Sequence, residues 1–121
     1  MGYASTSQAR WMSVQDLLLH ASAQESADGA GPSVETDRGV ARLTLDVTNH
    51  SGDGTQTLDV DVETSEDDST WRTVDSFTQV GNSTGSERLA FAGLDRFVRV
   101  SWTIGGSGSP SFTFSVAGEA A

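Results

Sequence analysis

The sequence predicts an all-β chain folded as a single antiparallel β-sandwich, and three observations carry that expectation. Apolar and polar residues alternate with a period of two over several short stretches. Turn-forming residues recur between those stretches at spacings of about ten residues, and no segment holds a convincing helical period. Seven to eight strands are expected over residues 16–121, preceded by an N-terminal arm over residues 1–15. Jelly-roll and Greek-key or Ig-like strand orders produce the same pattern, so topology stays open at this level.

The clearest stretch is near the end. Val98, Val100, Trp102 and Ile104 alternate with Arg99, Ser101 and Thr103; Phe112, Phe114 and Val116 alternate with Ser111, Thr113 and Ser115. Each half reads as a strand with one apolar and one wet face. Between them, residues 105–110 supply glycine and serine for a reversal, and Pro110 ends pairing through its missing N–H. A long hairpin is the simplest arrangement, although the two strands could lie in opposite sheets.

The remaining elements follow in order. Residues 15–23 could start a short helix capped by Ser13, but a strand with Leu17 and Leu19 inward agrees with every element downstream. Asp28-Gly29 and Gly31-Pro32 break the chain, and residues 33–36 form a short strand. Residues 40–47 place Leu43, Leu45 and Val47 on one face; residues 57–64 set Leu58, Val60 and Val62 against Asp59, Asp61 and Glu63. After a tight connection at residues 65–70 comes a strand bearing Trp71, Val74 and Phe77, then a loop over 81–85, a strand over 87–91 and a turn at 93–95.

Composition narrows the function. Seventeen acids face seven arginines and no lysine, for a formal charge of −10 over 121 residues. Such a surface repels nucleic acid and anionic lipid, so neither is an expected partner. Complete loss of lysine suits either an arginine-biased genome or a high-salt setting, where screening relieves repulsion among carboxylates. The chain has no cysteine, which removes disulfides and thiolate metal sites, and no apolar run approaches the ~20 residues that cross a bilayer. The first residues also lack the basic-then-apolar order of a secretory signal.

No reactive constellation emerges, and no catalytic residue, cofactor or metal is expected. His20 and His50 have no partner at ligand spacing. Asp59, Asp61 and Glu63 stand in a row along one strand face and do not converge as a calcium site requires. Ser107, between Gly106 and Gly108, reads as a turn residue and not as a nucleophile elbow. Trp71 and Trp102 fit an inward register. Tyr3, Trp11 and Met12 in the arm, with Phe97, which is out of phase with Val98, remain as candidate interaction residues. Trp11 and Met12 sit in a tail too polar to build its own core, which suits docking on a neighbour or on the same sandwich. Outward rings could alternatively stack on a glycan.

Two resemblances add to this reading. Ser65-Glu66-Asp67-Asp68-Ser69-Thr70-Trp71 resembles the Asp-box hairpin of β-propellers, Ser-x-Asp-x-Gly-x-Thr-Trp, but is one residue short and lacks the glycine. That motif implies a structural role: the Asp ties the turn and the Trp packs beneath it. Separately, Leu17-Leu18-Leu19-x-Ala21-Ser22, Arg38-Gly39-Val40-x-x-Leu43-x-Leu45-Asp46-Val47-Thr48, Val62-x-Thr64-Ser65-x-Asp67-x-x-x-Trp71 and the run from Arg96 to Val116 are similar to small β-rich structural proteins of tailed phages and archaeal tailed viruses. The resemblance spans residues 17–118. It implies a virion component located on the capsid surface more readily than in the neck or tail. Such a capsid-decorating protein has capsid or other virion proteins as partners and is present as lattice-bound copies or a homo-oligomer. A salt-loving host would suit the composition.

Overall fold

The structure, a computed structural model, describes residues 14–121. Nine strands form: β1 (Gln15–Glu25), β2 (Gly29–Ala30), β3 (Val34–Glu35), β4 (Val40–Ser51), β5 (Thr57–Ser65), β6 (Arg72–Ser76), β7 (Gly85–Ala92), β8 (Phe97–Gly105) and β9 (Ser111–Ala120). The described residues contain no helix. One sheet has the order β1-β9-β4-β7; the other has β2-β8-β5-β6, with β3 also on β8. Every pairing is antiparallel. The two sheets pack on one another as the expected β-sandwich.

β2 and β3 are two pieces of one interrupted edge. Gly29 and Ala30 pair with Trp102 and Ser101, while Val34 and Glu35 pair with Val98 and Phe97. Pro32 lies in the gap and cannot donate to the ladder. The segment at residues 33–36 was expected as a strand. The pairing of Gly29 and Ala30 falls where the sequence reads as a turn.

The alternation places the core as expected. Leu17, Leu19, Leu43, Leu45, Val47, Leu58, Val60, Val62, Val98, Val100, Trp102, Phe112, Phe114 and Val116 are all buried. Their polar neighbours in sequence face outward, which is the consequence of a two-residue side-chain period. At the centre of the sheet, Gly118 lets β9 lie close to β4: a β-carbon there would collide with the Arg42 carbonyl oxygen.

Three details differ from the simplest sequence reading. First, β8 and β9 are not a hairpin. They belong to opposite sheets, and Trp102 meets Phe114 edge to face with ring centroids 5.5 Å apart. Period two identifies the apolar face of each strand but not whether the next strand lies beside it or across from it. Second, β1 carries register shifts on both sides of His20, so Leu19 and His20 are adjacent in sequence and both buried. His20 stacks on Phe114 at 4.1 Å and meets Trp102 at 4.8 Å. Its Nδ1 donates to the Phe114 carbonyl at 2.9 Å, and Nε2 lies 2.8 Å from the Glu25 carboxylate. The buried imidazole therefore has a partner at both ring nitrogens.

The third difference concerns Trp71, which is not a core residue. It precedes β6 and is half-buried. A bulge at Val74, between the Glu63↔Thr73 and Val62↔Asp75 pairs, reverses the facing of residues on either side. Phe77 therefore points inward and is 4% exposed, while Trp71 shares the outer face with Glu63. The two tryptophans should differ accordingly in a urea titration followed by circular dichroism. Trp102→Ala is expected to cost about 3–5 kcal/mol, and Trp71→Ala only about 1 kcal/mol. Equal costs would contradict this placement.

Candidate functional site

The outer face of the five-stranded sheet carries an aromatic–arginine cluster. The preceding turn delivers Trp71 to it. Asp67 Oδ1 accepts from Ser65 Oγ at 2.9 Å, Ser69 N at 3.0 Å and Thr70 N at 2.8 Å. These bonds hold the Asp67 carboxyl below its ordinary value, the Thr70 N–H contributing most. Asp68 takes a left-handed conformation with φ of 60° to close the turn. Asp67 thus ties the turn as the Asp-box resemblance implies, but the tryptophan leaves it for the sheet surface. The Arg99 guanidinium lies 4.2 Å from the Trp71 ring centroid, and its Nε donates to Glu63 Oε1 at 2.8 Å.

Phe97 extends the cluster along β8. As its phase predicts, it lies on the outer side and is half-buried. Arg96 stands 5.5 Å from its ring and donates to Glu35 at 2.7 Å. The other candidate interaction residues, Tyr3, Trp11 and Met12, lie outside the described residues. Sequence reasoning therefore placed Phe97 and Arg99 on the outer side and missed Trp71, since no period-two pattern reveals a bulge in advance.

The acidic row on β5 is engaged residue by residue. Asp59 accepts from Gln79 Nε2, Asp61 from Ser76 Oγ at 2.6 Å, and Glu63 from Arg99. Among the described residues, no group of three or more His, Cys, Asp or Glu side chains is arranged to hold a metal ion. A wide trough of about 790 Å³ opens at the Phe97 end of the sandwich, bordered by Glu35, Asp37, Arg38, Glu66, Asp95 and Arg96. Three of its acids sit against arginines: Glu35 with Arg96, Asp95 with Arg72, and Asp37 with Arg38.

At the opposite end, polar side chains lock the loops. Gln56, 2% exposed, accepts from Gly54 N and places its amide nitrogen 2.9 Å from His50 Nδ1 and 3.0 Å from Asn82 Oδ1. Asp53 bridges two loops: it accepts from Thr55 N and Thr55 Oγ1, and from Ser107 Oγ at 2.6 Å. Gly106 and Gly108, with φ of 109° and 74°, bring Ser107 into reach. Ser107 is thus a turn-fixing group, consistent with its sequence context.

The Asp53 clamp should set acid sensitivity. The hydroxyls of Ser107 and Thr55 lower its pKa from 3.8 to about 2. A depressed folded-state pKa gives stability that is present above about 3.8 and lost as pH falls through about 2. The melting temperature of Asp53→Asn should therefore lie below wild type near neutrality, with the gap closing as pH falls from 4 to 2. A gap that stays constant over that range would contradict the clamp.

Compared with known proteins, the chain matches no protein-family model and has no detectable sequence similarity to a curated protein.

Proposed function

We propose that this domain is a structural virion protein of a tailed virus, bound at the capsid surface as a decorating and stabilising protein, with a neck or tail position as the alternative. It acts by binding and not by catalysis. The single observation that supports this reading most is the strand order. With β2 and β3 counted as one edge, we read β1-β9-β4-β7 facing (β2,β3)-β8-β5-β6 as the order of a double-sheet jelly roll. That architecture is shared by viral capsid and lectin domains. The segments similar to tailed-virus structural proteins favour the first of these. The anionic surface favours a protein partner over nucleic acid. Attachment to a repeating lattice makes many modest contacts collectively strong.

One observation favours a second reading, a carbohydrate-binding module: Trp71 offers a half-exposed ring on an outer face, backed by Arg99. Quantitative mass spectrometry of particles purified from the producing host separates the possibilities. A copy number comparable with the major shell protein is expected for a decorating protein. The copy number of a single ring would point to the neck or tail. Absence from particles would overturn the virion reading, and glycan-array binding abolished by Trp71→Ala would replace it with the second.

A further inference from the structure

The exposed large apolar side chains among the described residues are Val14, Leu18 and Val40, at 41%, 57% and 50% exposure, and all three fall on the outer face of the four-stranded sheet. Register arranges that face in rows. Val40 is opposite Ala92 and bonded through its carbonyl to Ala121 N; Val14 ends the same row just ahead of β1. The next row is Asp16, Glu119, Arg42 and Ala90, and the one after it is Leu18, Ala117, Thr44 and Arg88. We propose that this face is a self-association surface on which a second copy of the chain packs, sheet against sheet, about a two-fold axis parallel to the strands. The inference stands or falls independently of the virion reading.

Charge is the first argument. The chain carries a surplus of ten acids, yet this face holds Asp16, Asp46 and Glu119 against Arg42 and Arg88, a surplus of one. It is the face on which two like-charged copies meet with little repulsion. In the central rows the face is also polarised. Asp16 and Glu119 lie on β1 and β9, and Arg42 and Arg88 on β4 and β7, while Asp46 lies one row beyond. An axis along the strands lays β1 over the partner's β7 and β9 over its β4. The Glu119–Arg42 ion pair of each copy then meets the reversed pair of the other.

Shape is the second argument. Leu18 protrudes from β1, while a depression of about 290 Å³ lies at Arg42, Thr44, Arg88 and Glu119 on the other half of the face. The same two-fold axis seats each Leu18 over the other copy's depression and sets the apolar Val14–Val40 row on its counterpart. Sheets packed face to face lie ~10 Å apart. Four strands at ~4.8 Å spacing and roughly 30 Å long give about 1,100 Å² for two copies, above the roughly 1,000 Å² a specific interface needs.

The test is sedimentation of the full chain over a concentration series, with circular dichroism to check folding. A concentration-dependent dimer is expected, with Leu18→Asp raising its Kd by about tenfold or more. Because Leu18 is exposed, that variant should fold normally. The chain lacks cysteine, so cross-linking gives a second readout. A mixture of Leu18→Cys and Arg88→Cys chains should be joined by a thiol-reactive bismaleimide whose reach matches the ~10 Å between facing sheets. Neither variant should cross-link alone with that reagent, since the axis holds like positions about 17 Å apart. A monomer at every concentration, a dimer indifferent to Leu18→Asp, or cross-linking of Leu18→Cys to itself would each overturn the proposal.

Discussion

The fold depends on one contact between sequence neighbours that do not pair. β8 and β9 are joined by five residues, yet each hydrogen-bonds into a different sheet, and their inner faces meet across the core. Trp102 against Phe114, with His20 stacked on the same ring, fixes how the two sheets face one another. Each sheet has one wet face and one apolar face, and the aromatic junction lies within the core that covers both apolar faces. The Asp53–Ser107 clamp belongs to the same constraint, because it holds the loop where the chain leaves one sheet for the other.

Much of this was legible in the residues. Period-two alternation identified the buried set on β4, β5, β8 and β9, since a half-buried strand cannot hide its parity. What alternation does not encode is the partner. Phe112, Phe114 and Val116 look the same whether β8 lies beside them or opposite. Bulges are equally hidden: one extra residue at Val74 turned Trp71 outward, and another near His20 turned an imidazole inward. Both involve a local shift of pairing whose cost and benefit are set by residues far away in sequence. The outward facing of Phe97 was legible because the β5–β8 ladder runs without a bulge.

The surface follows from the same economy of charge. Arg42, Arg72, Arg96 and Arg99 are each held by a carboxylate, so the few cations stitch neighbouring strands and loops together, and the excess acid is left outside. Surface pairs of this kind contribute little stability individually. Their effect here is to divide the two outer faces. One presents acids with an aromatic–arginine cluster at its end; the other is nearly neutral and carries the exposed Val14, Leu18 and Val40.

The most direct test of the central contact is a solution NMR measurement of short interproton distances in the full chain. Strong contacts should link the Trp102 and Phe114 rings, together with backbone contacts between Leu45 and Val116 across the β4–β9 ladder. Backbone Hα contacts between β8 and β9 along their lengths, as in a hairpin, would contradict the account.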